Sequence, residues 1–169
     1  MHFEGSQPIK APIKAVWNAL LDPNRVAACT PGFVSMEILA PDHFKPVVGV
    51  GLGAVKAKFT LDVQVTERQE PDHAAMKMHG VAAGSAVDMV ATVDLAAASE
   101  SESEAESEAE TTMNWVADVT VSGTIASVGA RLIESVARKQ VAKFFDCFSH
   151  KLEAPEPEAS EQAAPNPSP

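Results

Sequence analysis

The chain has 169 residues, of which 46% are hydrophobic, and it carries a formal net charge of −10. A single domain of this size buries about two thirds of the surface of its unfolded chain, so its stability requires neither a metal nor a set of disulfides. Because the basic residues form no cluster, we do not expect nucleic acid binding, and the apolar runs are shorter than the roughly 18 residues that span a bilayer.

The negative charge is concentrated in two low-complexity segments that contain no Lys or Arg. Residues 99–110 hold six glutamates, and residues 153–169 hold four glutamates and five prolines. Segments of this composition cannot bury enough apolar surface to offset the entropy lost on ordering. The sequence therefore predicts one folded domain over 1–152, with an acidic insertion at 99–110 and a disordered tail over 153–169.

The two cysteines, Cys29 and Cys147, form no CxxC motif and no cluster with histidine. We therefore expect neither a zinc site nor a disulfide, and a reducing compartment, which makes the cytoplasm the predicted location. Buried packing is expected for Cys29, with a reactive thiol as the alternative. The first residues lack the basic and apolar regions of a signal peptide, so the mature chain is expected to start near Met1.

Two short helices are predicted near the N-terminus. Apolar residues recur at helical spacing after Pro12, at Ile13, Val16, Trp17 and Leu20. The pair Asp22-Pro23 is typical of an N-cap followed by the first helical residue, and Thr30-Pro31-Gly32 is typical of a helix end. The second helix is therefore predicted to end near Ala28.

After Gly32 the apolar period changes from helical to two. The clearest strand starts at Val55, where apolar residues alternate with Lys, Thr, Asp and Gln through Thr66. Short spacing between strands favours antiparallel hairpins. The acidic insertion falls where the last of these hairpins would turn, between the strands at 87–95 and 113–121. The other predicted strands cover 34–39, 44–50, 74–81, 87–95 and 113–121.

Residues 125–152 predict one long helix, because they contain no proline and carry an apolar stripe from Val128 to Leu152. An antiparallel sheet with one apolar face needs a cover, and this helix is long enough to supply it. The fold class predicted from these elements is α+β: a curved antiparallel sheet of about seven strands wrapped around a long C-terminal helix.

Several short motifs occur in an order that resembles the carbon monoxide dehydrogenase G-subunit family, a branch of the START-like helix-grip (SRPBCC) superfamily. The resemblance extends from Met1 to about Leu152. The motifs that carry it are Phe3-Glu-Gly-Ser, Val16-Trp17 with Leu20, Asp22-Pro23, Cys29-Thr-Pro31-Gly32, Gly84-Ser85-Ala86 and Val128-Gly-Ala-Arg131-Leu-Ile133.

The resemblance implies an apolar cavity between the sheet and the C-terminal helix. It also implies an accessory role: binding a quinone or another lipid in the service of a molybdenum hydroxylase such as CO dehydrogenase. Peripheral contact with the inner face of a membrane belongs to the same expectation, although the acidic residues after Leu152 argue against an anchor there. Neither a metal nor a covalent cofactor is expected.

Five methionines lie on the predicted inner face of the sheet, at Met36, Met76, Met78, Met89 and Met113. They can simply fill an irregular core, or they can line a site that adapts to an apolar ligand, because methionine is flexible and polarizable. The residues predicted to line the cavity are Met36, Phe59, Met76, Met78, Met89, Trp115, Leu132, Val136 and Phe144.

No catalytic residue is predicted, because the inner positions of the strands contain no titratable side chain and the chain has no tyrosine. The five histidines lack metal-ligand spacing. The glycines at 49, 51 and 53 lead into a strand, which excludes a phosphate loop. Basic residues of the long helix, Arg131, Arg138, Lys139 and Lys143, predict a solvated face, with a docking patch for an acidic partner as the alternative.

Two other functions stay open. A cyclase or hydrolase on the same fold would need an inward-facing polar pair. A ligand-free assembly adaptor would have a filled core and act through its surface.

Overall fold

The structure is a computed structural model that describes residues 1–97 and 109–153. The acidic insertion at 99–110 lies outside the described residues except for its last two, and so does the tail 153–169 except for Glu153. The strands are β1 (His2–Ile9), β2 (Phe33–Ala40), β3 (His43–Leu52), β4 (Val55–Gln69), β5 (His73–Ala82), β6 (Ser85–Ala97) and β7 (Thr111–Gly123). The helices are α1 (Ile13–Leu20), α2 (Pro23–Ala28) and α3 (Ala130–Glu153).

The seven strands form one antiparallel sheet in the order β1-β7-β6-β5-β4-β3-β2. Strands β2 to β7 follow one another as hairpins, and β1 closes the far edge against β7. Helix α3 lies against the inner face of this sheet. The predicted α+β helix-grip class is therefore confirmed, including the number of strands.

The long helix begins later than the sequence predicted. Residues Thr124–Val128 form a short 3-10 helix, and α3 starts only at Ala130. Gly129 separates the two with a φ of 104°, a backbone conformation that glycine adopts without strain. The prediction of one continuous helix from Ile125 was therefore wrong, because the chain must turn from the end of β7 onto the inner face of the sheet.

The entry to α3 is fixed to the hairpin between β5 and β6. Gly84 O accepts a hydrogen bond from Thr124 N at 2.8 Å, and Ser85 Oγ accepts one from Ile125 N at 2.9 Å. Gly123 lies so close to the Gly84 carbonyl that a Cβ at Gly123 would clash with its oxygen. A side chain at Gly123 would therefore displace the start of the helix.

The strand register confirms which residues face α3. Directly opposed residues share a face, and Val63, Met78, Met89 and Val119 stand opposite one another across four strands. Regular alternation along the strand predicted at 34–39 places Val34 on the inner face with Met36, and for Val34 this prediction is wrong. Val34 is the extra residue of an irregularity in β2, where Phe33 opposes Val48 and Ser35 opposes Val47, and Val34 is more than half exposed.

Helix α3 holds the sheet through two separate groups of buried residues. The first joins α1 and the C-terminal half of α3 to one end of the sheet, around Val16, Trp17, Met113 and Phe148. The second joins the N-terminal turns of α3 to the other end, around Leu52, Phe59 and Ile125. We call these the C-terminal cluster and the N-terminal cluster.

The two cysteines form a disulfide, which overturns the prediction of unbridged thiols. Cys29 follows α2 directly and Cys147 lies in α3, with Cα atoms 5.5 Å apart although 118 residues separate them in the chain. Cys29 is buried as predicted, but it is neither a free packing residue nor a reactive thiol. Sequence spacing could not reveal the pairing because α2 and α3 meet only in the folded domain.

Removing the bridge should lower the free energy of unfolding by about 4 kcal/mol, since the cross-link closes a long loop in the unfolded chain. The test is urea unfolding of the wild type and of the C29A/C147A variant, each with and without reductant. Reductant should destabilise the wild type and leave the variant unchanged. Two titratable thiols in the native, unreduced protein would contradict the bridge.

Candidate functional site

The middle of the inner face belongs to neither buried cluster. Leu61 and Val87 belong to one row of opposed residues across the strands and pack in the N-terminal cluster. Ala74 and Val93 belong to another row and pack in the C-terminal cluster. Two rows of side chains lie between them. One row is Val63, Met78, Met89 and Val119, and the other is Val65, Met76, Ala91, Ala117 and Phe3.

Helix α3 spans these two rows, in which Phe3, Val63 and Ala117 are buried. Its backbone comes nearest to β1 and β3, towards the two sides of the sheet, and less to the central strands β5 and β6. Met76, Met78 and Met89 are only partly buried although they point towards the helix. The two rows therefore carry partly accessible methionines beside buried neighbours.

The nine residues predicted to line a cavity are divided by the structure into three groups. Met36, Met76, Met78 and Met89 belong to neither cluster and remain partly buried. Phe59, Leu132 and Val136 pack in the N-terminal cluster, and Phe144 packs against the C-terminal cluster. Trp115 is partly buried and stacks on Phe145, with ring centroids 6.1 Å apart. The fifth methionine of the sheet, Met113, is 1% exposed and is simply core.

Gln140 is the residue that sequence reasoning missed. It lies one turn after Val136 and one turn before Phe144, so it shares the sheet-facing side of α3 with them. Its Oε1 atom is buried and accepts no hydrogen bond from the residues that the structure describes. Such an unpaired buried group costs about 1–3 kcal/mol. The available signal was a polar residue interrupting the apolar stripe between Val136 and Phe144.

A groove of about 420 Å³ opens between β1 and α3 at the edge of the same inner face. Its floor contains Trp115 and Phe145, and the Arg138 guanidinium lies 5.3 Å from the centroid of the Phe3 ring. A second groove, of about 380 Å³, lies along the β3–β4 hairpin beside Val50 and Ala57. Neither groove is lined by the methionines.

Gly5 determines how closely the Trp115 ring approaches β1, because a Cβ at Gly5 would fall 2.7 Å from the ring. Gly5→Ala should therefore lower the free energy of unfolding by about 1–3 kcal/mol and shift tryptophan fluorescence. Gly51→Ala is the matched control, since a Cβ there meets nothing within 4 Å. Equal stability of the two variants in urea unfolding would contradict the close packing.

The histidine–carboxylate pairs that the structure describes lie on the outer face of the sheet, away from α3. Four histidines contact a carboxylate there, at distances of 2.7–3.0 Å: His2 with Asp118, His43 with Asp62, His73 with Asp94 and His79 with Asp88. Within the described ranges, no group of three or more His, Cys, Asp or Glu is arranged to hold a metal ion.

Two of these histidines have a raised pKa. Hydrogen bonds to Asp94 and Glu67 raise the pKa of His73 above its usual value of 6.5, and Asp118 and Glu4 act in the same way on His2. The hydrogen bond from His43 lowers the pKa of the Asp62 carboxyl. All of these groups are at the surface, so their coupling to stability is weak.

Because the raised histidine pKa values favour the protonated form in the folded state, their stabilisation is full below pH 6.5. It is lost as pH rises through the folded pKa. The difference in unfolding temperature between the wild type and the H2Q/H73Q variant should therefore decrease as the pH rises from 6.5 through the folded pKa. His150→Gln, at the end of α3, is the control and should retain the wild-type slope. A difference that grows with pH would contradict the assignment.

The profile of the carbon monoxide dehydrogenase G subunit (CoxG) matches residues 5–153. The chain belongs to this family. Among curated proteins no match is found. Within the described part of the chain, no helix of this CoxG-family protein is long and apolar enough to cross a membrane.

Solved structures share the fold at low sequence identity. A conserved protein from Geobacillus kaustophilus is 24% identical with a TM-score of 0.80, over 90% of this chain and 95% of that one. A START superfamily protein from Mycobacterium smegmatis is 11% identical with a TM-score of 0.67, over 90% and 97%. The Zhui aromatase/cyclase from Streptomyces sp. R1128 is 16% identical with a TM-score of 0.64, over 90% and 93%. These similarities establish the START-like fold.

Several motifs that suggested the CoxG family have structural roles. Gly84-Ser85 fixes the entry to α3, and Cys29 forms the bridge to its C-terminal half. Gly32 has a φ of 79°, and its carbonyl accepts a hydrogen bond from Gly49 N at 2.8 Å. The Gly84-Ser85 and Cys29 motifs therefore position α3 over the sheet, and Gly32 connects the start of β2 to β3.

Proposed function

We propose that this CoxG-family protein binds a hydrophobic molecule, a quinone or another lipid, between α3 and the central strands, and that it does so without catalysis. The observation that carries the proposal is the set of inward-pointing, partly buried methionines between the two clusters. A core serving only stability would be expected to seal these side chains. Methionine suits a site that must adapt its shape to an apolar chain.

The driving force for binding would be the removal of apolar surface from water. At about 25 cal/mol per Å², an occupant that buries about 300 Å² of apolar surface gains about 7.5 kcal/mol before the costs of association. An isoprenoid or acyl chain has enough surface to meet that requirement. Few hydrogen bonds are then needed, which agrees with the composition of the inner face.

The proposed role is that of an accessory protein to a molybdenum hydroxylase such as CO dehydrogenase. Support comes from the family name, which describes a subunit of that enzyme. A bound quinone would suit the oxidation of a small substrate, because such a reaction must pass its electrons to an acceptor. The exposed basic residues Arg131, Lys139 and Lys143 on α3 are candidates for contact with an acidic partner.

Placement of the histidine–carboxylate pairs supports binding over catalysis. The cyclase or hydrolase alternative needs a titratable pair facing the ligand, as a general acid or base must reach its substrate. The described pairs lie on the opposite side of the sheet. The assembly adaptor alternative needs a filled interior, and the partly accessible methionines favour binding over it.

The cytoplasmic location, with transient contact at the inner face of the membrane, stays a prediction. The cytoplasm was predicted partly because free thiols indicate a reducing compartment. That argument no longer holds, since Cys29 and Cys147 form a disulfide.

The test is organic extraction of the purified protein followed by mass spectrometry, comparing two adjacent positions on β6. Met89→Lys places a charge on the inner face and should reduce the recovered quinone or lipid at least tenfold. Val90→Lys places the same charge on the outer face, where Val90 is 60% exposed, and should leave recovery unchanged. Equal recovery from both variants, or no ligand from the wild type together with no uptake of added quinone, would refute the proposal.

A further inference from the structure

Gln140 is a polar residue on the apolar, sheet-facing side of α3. It lies on the same side of α3 as Val136, which packs in the N-terminal cluster, and Phe144, which packs in the C-terminal cluster. Along the helix it therefore falls between the two clusters, above the two rows of the inner face that neither cluster contains. Gln140 therefore lies at about the same level on the helix as the partly buried methionines lie on the sheet.

The amide of Gln140 has unused hydrogen-bonding capacity. Oε1 is buried without a partner among the described residues, and a primary amide offers both an acceptor and two donors. A leucine or methionine at this position would pack equally well without leaving a polar atom unpaired. An occupant carrying a hydroxyl or carbonyl group would satisfy the amide.

The charge of that occupant follows from what surrounds it. The two central rows contain only Val, Met, Ala and Phe, so they offer no cation to a carboxylate. The basic side chain of Arg138, two residues earlier on the helix, lies over the Phe3 ring at the β1 edge. A carboxylate beside Gln140 would lose its hydration without a counter-charge, whereas a neutral polar head would lose little.

We propose that the Gln140 amide anchors the polar head of the ligand, and that the ligand is a neutral amphiphile with a hydroxyl or ketone head. This inference rests on the proposed function, because it assumes that the space beneath α3 binds an apolar molecule. It adds the position of the head and excludes fatty acids as the preferred class.

The test uses three probes on the full-length protein. Diphenylhexatriene is a hydrocarbon and reports the apolar site alone, through its fluorescence. Dodecanol and dodecanoate then compete with it at neutral pH, and they share a chain but differ in the charge of the head. The variant is Gln140→Met, which preserves side-chain length and removes the amide, with Gln140→Leu as a second variant.

We expect Gln140→Met to weaken dodecanol binding about tenfold, the usual effect of losing one buried hydrogen bond. Diphenylhexatriene affinity should stay within about twofold of the wild type. Dodecanol should also bind the wild type more tightly than dodecanoate. Lys139→Leu, at the exposed neighbouring position, should alter none of the three affinities.

The outcomes that contradict the proposed function, the role of Gln140 and the neutral head can be distinguished from one another. If the wild type does not take up diphenylhexatriene, the proposed function fails. If it does, but both Gln140 variants bind dodecanol as well as the wild type, Gln140 is no anchor and the apolar site remains. If dodecanoate binds more tightly than dodecanol and Arg138→Gln abolishes that preference, the head is anionic and lies at the β1 edge.

Discussion

The structure depends on how α3 is held against the sheet. It is fastened at its start by the Gly84 and Ser85 hydrogen bonds and the N-terminal cluster, and near its end by the C-terminal cluster and the Cys29–Cys147 bridge. Between these points it crosses a curved surface. Between the two fastened ends, Met76, Met78 and Met89 on the inner face stay only partly buried.

The contents of that space follow from the same constraint. Residues at the fastened ends must pack tightly, and they include Val16, Trp17, Met113 and Phe148. Residues in the middle are less uniformly buried, and there the chain places Met76, Met78 and Met89 on the sheet and Gln140 on the helix. The histidine–carboxylate pairs of the strands are on the other face, at the surface. The tightly packed residues and the proposed ligand site thus occupy different parts of one inner face.

Much of the fold could be predicted because its elements carry local signals. The alternation from Val55 to Thr66 identifies β4 and its inner face, and the Asp22-Pro23 pair identifies the start of α2, where Asp22 accepts a hydrogen bond from Asn24 N. Errors arose where the signal is not local. The irregularity at Val34 moves one residue out of register, Gly129 interrupts a segment whose composition is otherwise helical, and the cysteine pair is separated by 118 residues.

The candidate site shows the same difference between features with a local sequence signal and features that depend on distant residues. Sequence alone predicted most of the residues that face inward, because alternation along a strand and spacing along a helix depend on neighbouring positions in the chain. It could not say which inward residues are core. Met113 and Met89 carry the same pattern, and only the packing of α1 and α3 buries the first and leaves the second partly accessible. Tertiary structure also decided the importance of Gln140, since whether a buried amide is satisfied depends on atoms that are distant in sequence.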